Sequence, residues 1–89
     1  MKRVRIVVSG DVQGVFYRHY TKKQADELGV MGWTRNEPNG DVYIIAEGED
    51  KAVDKLAKWA KVGSPLAEVK DLEVVEEKYT GNEKTFEVR

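Results

Sequence analysis

The chain contains no cysteine. That excludes disulfide staples, thiolate metal sites and a cysteine nucleophile. Histidine is almost as scarce, since His19 is the only one. A metal centre would have to be assembled from carboxylates and one imidazole, and the Asp and Glu residues are not set at the alternate positions of a calcium loop. No metal and no cofactor is expected. Long apolar runs are also missing. The longest, Val42–Ala46, falls far short of the ~20 residues that a membrane span requires, and the N-terminus shows no signal-peptide pattern. A soluble, cytoplasmic protein with no membrane partner is expected. Neither sign of charge dominates: 15 basic residues stand against 16 acidic ones, which is not the footprint of a general nucleic-acid binder.

What the chain has is charge, at 35% of its 89 residues, spread unevenly. The first 40 residues hold seven basic and four acidic side chains, a sum of +3, and the remaining 49 hold eight and twelve, a sum of −4. An anionic ligand is expected at the first half. The length fits a single domain, residues 1–89, near the lower end of stability without staples. No repeat, low-complexity stretch or linker divides it, and a monomer is expected.

Hydrophobic periodicity gives the architecture. Val4, Ile6 and Val8 alternate with Arg3, Arg5 and Val7, the period of a strand. Tyr17–Leu28 reads as a helix, with Thr21, Ala25 and Leu28 on one face and Gly29 as its stop. Val30–Asn36 reads as a second strand carrying Trp33, and Pro38-Asn39-Gly40 is turn chemistry. Asp41–Glu47 is a third strand, with Val42, Ile44 and Ala46 on one face. Asp50 is the expected N-cap of a second helix, whose Val53, Leu56, Ala57 and Ala60 share a stripe; Gly63-Ser64-Pro65 ends it. Val69–Tyr79 is a fourth strand whose imperfect alternation suggests a bulge, and Thr85–Val88 a short fifth at an edge. The order β-α-β-β-α-β is the split βαβ, ferredoxin-like pattern of the α+β class, with two helices on one face of a mainly antiparallel sheet. A right-handed crossover makes strand 1 parallel to strand 2 with strand 3 between them. The loop after strand 1 and Asn36, at the end of strand 2, should therefore approach each other.

That loop, Gly10-Asp11-Val12-Gln13-Gly14-Val15-Phe16-Tyr17-Arg18, joins a strand to a helix start. Free N–H groups at such a junction can cradle an anion. It lacks the Gly-Lys-Ser/Thr ending of a nucleotide-binding P-loop and any G-x-G-x-x-G fingerprint. Arg18 falls in the first turn of the helix, where the macrodipole disfavours a cation. A bound phosphate would reverse that sign and meet the planar fork of the guanidinium. Read from the residues alone, Arg18 stays open between this role and a side chain in solvent, and Asn36 between a site role and turn capping ahead of Pro38.

Two motifs go further. Gly10-x-Val12-Gln13-Gly14-Val15-x-Tyr17-Arg18 resembles the first signature of the acylphosphatase family. Gly32-Trp33-Thr34-Arg35-Asn36-x-x-x-Gly40-x-Val42, with Gly48 beyond it, resembles the second. Gly63-x-Pro65-x-Ala67-x-Val69 is similar to the family's passage from helix 2 to strand 4. The likeness spans essentially the whole chain, with one departure: Thr34 stands where the family usually has Val, Ala or Cys. The resemblance implies hydrolysis of small-molecule acyl phosphates to carboxylate and inorganic phosphate without a cofactor. It implies Arg18 as the phosphate-binding arginine, Asn36 as the water-orienting asparagine, and Val12, Gln13, Gly14, Val15, Phe16 and Tyr17 as the phosphate loop. Inorganic phosphate or sulfate would then compete with substrate.

The expected chemistry is economical. The leaving group of an acyl phosphate is a weakly basic carboxylate, so catalysis rests on positioning and charge stabilisation. Asn36 cannot be a base but can hold a water. His19 points about 100° away from Arg18 around the helix and reads as an exposed bystander. Trp33 and Trp59 read as core or core-edge aromatics, and Glu76-Glu77 as a solvated strand end. The competing reading is a ferredoxin-like module without catalysis. It would be an RNA binder using the sheet face, where strand 1 offers no aromatic, or a regulatory domain of the kind found in carbamoyl-transferring hydrogenase maturation proteins.

Overall fold

Alternation sets the sheet. In the computed structural model, which describes residues 1–89, the first strand, β1 (Lys2–Asp11), buries Val4, Ile6 and Val8 and turns the residues between them to the opposite face. It is followed by α1 (Tyr17–Leu28), β2 (Met31–Asn36), β3 (Val42–Gly48), α2 (Asp50–Ala60), β4 (Glu68–Glu77) and β5 (Phe86–Val88). The strands lie in the order β4-β1-β3-β2-β5. Both β1 and β2 run antiparallel to β3, so they are parallel to each other and their C-terminal ends share one edge. β5 adds to β2 in parallel as the expected edge strand.

Both helices cover the face that carries Val42, Ile44 and Ala46 of β3. Thr21 and Ala25 of α1 and Val53, Leu56 and Ala60 of α2 are buried there, with Leu28 and Ala57 packed at the margin. α1 ends as Gly29 enters the left-handed region at φ 72°. The Val30 N–H donates to the Ala25 carbonyl and the Gly29 N–H to Asp26, a Schellman closure. Val30 is spent on that closure, so β2 starts one residue later than periodicity suggests. β3 likewise starts after Asp41, whose N–H donates to Asn39 Oδ1 within the turn.

Three other expectations need correction. The N-cap of α2 is Glu49, with no side-chain capping bond; Asp50 is the first helical residue, and its carboxylate pairs with the N-terminal amine at 3.2 Å. The fourth strand spans 68–77 rather than 69–79, and its expected bulge falls where Ser9 faces Asp71 but Gly10 faces Val69, leaving Lys70 over. Glu77 is not merely solvated. It lies opposite Arg3 and accepts from Arg3 Nε at 3.3 Å, with Arg5 at 3.7 Å.

Arg3 also reaches Glu47 at 3.0 Å and Glu83 at 3.3 Å. Glu47 is 2% exposed and accepts from the Thr80 N–H and hydroxyl. Burial works against its charge, but the two Thr80 bonds and Arg3 outweigh it and hold the carboxyl below its ordinary 4.5. This cluster ties the 78–85 segment to the sheet. The uncovered face also carries Trp33 stacked on Tyr43 at 5.7 Å, with Arg35 over both rings and Arg89 over Trp33. Its arginines already face carboxylates or aromatic rings.

Candidate active site

The loop between β1 and α1 and the end of β2 meet at the shared sheet edge. They enclose a cleft of about 300 Å³ lined by Val12, Gly14, Phe16, Tyr17, Arg18, His19, Asn36 and Val88. Arg18 and Asn36, 18 residues apart in the chain, line the same cavity, as the crossover argument requires.

The loop presents donors without partners. None of the backbone N–H groups of residues 12–16 is taken up by a protein acceptor. α1 begins without a side-chain cap and without an acidic residue in its first turn, so its first N–H groups stay available and its positive end uncompensated. Gly14 at φ 74° and Phe16 at φ 63° both take left-handed conformations, the kind of alternation that turns successive N–H groups toward one concave side.

Three anchors hold this shape. Gln13 Nε2 donates to the Glu37 and Asp41 carbonyls at 2.8 and 2.9 Å, which joins the loop to the β2–β3 turn and hence to Asn36. Ser64 Oγ donates to the Val15 carbonyl at 2.7 Å. Tyr17 is buried against Trp59 and its hydroxyl donates to the Ala60 carbonyl at 2.6 Å. Burial pushes the Tyr17 phenol well above its ordinary value, so it stays protonated and serves as a pillar. The Gln13 side chain and the Val15 carbonyl therefore hold the frame of the loop, while Val12, Gly14, Phe16, Tyr17 and Arg18 line the cavity.

Arg18 does not wave in solvent. Its Nη1 donates to the Arg89 carbonyl at 2.6 Å, and Arg89 is held in turn by its N–H donating to the Thr34 carbonyl at 2.8 Å. Asn36 is equally informative. Its Oδ1 is buried and has no hydrogen-bond partner, whereas the turn that follows is closed by Asn39 Oδ1 accepting from the Asp41 N–H at 3.0 Å. Turn capping is the work of Asn39, and Asn36, which lines the cleft, keeps a buried Oδ1 without a partner. His19 is exposed, as expected, but lies on the cavity wall.

Sequence reasoning missed Val88 and the Arg89 carbonyl. Val88 ends β5 and Arg89 follows it, and only the parallel pairing of Thr34 with Val88 brings them beside the cleft; no local signal marks them. No cluster of three or more His, Asp or Glu side chains is placed to hold a metal ion, and no helix is long and apolar enough to cross a membrane.

Comparison with known proteins identifies the family and the fold. The acylphosphatase family model matches residues 4–88. An acylphosphatase of Rubrobacter xylanophilus is 52% identical over 88 residues, covering 99% of this chain and 80% of that protein. One of Methylococcus capsulatus is 48% identical, covering 99% and 96%. The crystal structure of the Bacillus subtilis acylphosphatase superposes with a TM-score of 0.96 at 35% identity, over 100% of this chain and 99% of that one. The chain belongs to the acylphosphatase family.

Proposed function

We propose that this protein hydrolyses the carboxyl–phosphate bond of acyl phosphates, with the phosphoryl group held by residues 12–18 and the attacking water held by Asn36. The observation that carries the assignment is the buried, unpartnered Oδ1 of Asn36 in the cleft that also contains Arg18. A buried acceptor without a partner is costly. Turning the Asn36 amide so that this oxygen faces the cavity lets a water donate one hydrogen to it, which removes that cost and leaves the water a lone pair to direct at phosphorus.

The remaining steps follow from the groups available. The loop N–H groups and the Arg18 guanidinium neutralise the equatorial phosphoryl oxygens as charge redistributes. The water oxygen bonds to phosphorus as the bond from phosphorus to the acyl oxygen breaks. The electron pair leaves with the carboxylate, which needs no general acid. The water's proton passes to a non-bridging phosphoryl oxygen, since Asn36 cannot accept it. The Arg89 carbonyl sets the direction of the guanidinium before substrate arrives, which reduces the ordering required at binding. The reading carries with it a cytoplasmic monomer acting alone on a small diffusible substrate.

The test is release of inorganic phosphate from benzoyl phosphate with EDTA in excess. Full turnover under those conditions, inhibited competitively by inorganic phosphate or sulfate, is expected. Activity lost in EDTA and restored by magnesium, or no phosphate release at all, contradicts the reading.

A further inference from the structure

One wall of the cleft is the start of α1 and another is the end of β5, which contributes Val88. Of the two, β5 is the weaker element. It is an edge strand of three residues, hydrogen-bonded only to β2. Phe86 is buried and anchors its start, but a strand with so short a ladder opens at small cost. The Arg89 carbonyl that accepts from Arg18 Nη1 follows directly on this strand. Any parting of α1 and β5 therefore takes that carbonyl away from the guanidinium.

α1 carries a second fastening across the same gap. Lys22 stands four residues after Arg18, on the same helix face. Its ammonium donates to the Phe86 carbonyl at 3.0 Å and pairs with Asp26 Oδ2, four residues further on, also at 3.0 Å. An exposed pair of this kind contributes little by itself. Here, however, the carboxylate helps to orient an ammonium whose other bond reaches a backbone carbonyl, and a bond from a charged donor is of the stronger kind. Two cations on one face of α1 thus grip the backbone at both ends of β5. The neighbouring Lys23 is exposed, and its side chain takes part in none of these bonds.

We infer that Lys22 is a positioning residue for the phosphate site: by tying α1 to β5 one turn along the helix from the cleft, it keeps the Arg89 carbonyl within reach of Arg18. This rests on the reading of Arg18 as a phosphate ligand. Without the tie, the guanidinium must be ordered when the anion binds. Arg18 holds the phosphoryl group before and during the reaction, so the loss falls on binding and leaves kcat.

The test measures the affinity for inorganic phosphate by calorimetry, with KM and kcat for benzoyl phosphate, in the wild type, Lys22→Met, Lys22→Arg and Lys23→Met. Methionine keeps the apolar stem and removes the donor. In Lys22→Met the phosphate dissociation constant and KM are expected to rise together about three- to tenfold, the scale of ordering one long side chain at binding, with kcat near the wild-type value. Lys22→Arg keeps a charged donor and is expected to restore both. Lys23→Met removes the same charge from the next position and is expected to change neither. The factor should persist at raised salt, which screens a field between charges but not the geometry of a bond. Unchanged phosphate affinity in Lys22→Met, whatever its Tm, makes Lys22 a stabilising residue only and overturns the inference, as does an equal loss in Lys23→Met or a loss that vanishes in salt. A wild type that binds no phosphate overturns the reading of the site, and the inference with it. A wild type that binds phosphate but leaves benzoyl phosphate intact overturns the hydrolase reading alone, since the dissociation constants still decide the role of Lys22.

Discussion

Replacing Thr34 with valine exchanges one buried hydroxyl for a methyl group at the position where this chain departs from its family's usual residue. Thr34 is 0% exposed, on the helix-covered face of β2, and its Oγ1 has no hydrogen-bond partner. A buried hydroxyl without a partner costs about 1–3 kcal/mol, and valine fills nearly the same space while removing it. The Thr34 carbonyl, which accepts from the Arg89 N–H, belongs to the backbone and survives the change. Thr34→Val is therefore expected to raise stability by about 1–2 kcal/mol, and a domain of this size gains about 4–8 °C in Tm for each kcal/mol. Thermal melting followed by circular dichroism, with urea unfolding at an unchanged m value, reads the effect. A Tm that stays level or falls would refute the reasoning, because the hydroxyl would then have a partner that valine cannot replace.

Three further outcomes follow from the same structure. Glu47→Gln leaves Arg3 with Glu77 and Glu83, so its cost at neutral pH should sit at or below the range for a broken buried pair, about 2–3 kcal/mol, measured by urea unfolding. Because the Glu47 carboxyl is held below its ordinary 4.5, its contribution is present above that pH and lost as pH falls through the lowered value; wild-type stability should therefore drop more steeply on acidification than that of Glu47→Gln. Arg18→Ala should abolish the rise in Tm that inorganic phosphate gives the wild type, and Arg18→Lys should restore little of it, since a point charge does not replace the guanidinium fork.

Much of this molecule is legible in its sequence because the relevant signals are local. Val4, Ile6 and Val8 declare a strand, Thr21 and Ala25 a helix face, and Gly29 its end, each within a few residues. The placement of Arg18 and Asn36 at one edge follows from connection handedness, and the two motifs supply their expected roles. What escaped reading depends on partners distant in the chain. Glu77 looks solvated until the β1–β4 register sets it opposite Arg3. Asp50 looks like a cap until β1 delivers the N-terminal amine to it. The Arg89 carbonyl reaches Arg18 across 71 positions, through a three-residue strand too short to carry a pattern. The left-handed conformation of Phe16 is likewise invisible, because a helix start is as readily occupied in an ordinary conformation.

The central claim is that Asn36 holds the water and not the phosphate. The direct measurement compares inorganic phosphate affinity with kcat in Asn36→Ala, after circular dichroism and a melting curve have established that the variant folds. Loss of a group that acts in the transition state lowers kcat without weakening uniform binding. The account predicts a fall in kcat of at least ~100-fold, the scale of one well-placed polar group, with phosphate affinity within a few-fold of wild type. Phosphate affinity and rate lost together would make Asn36 a phosphate ligand and contradict the account, as would a kcat left unchanged.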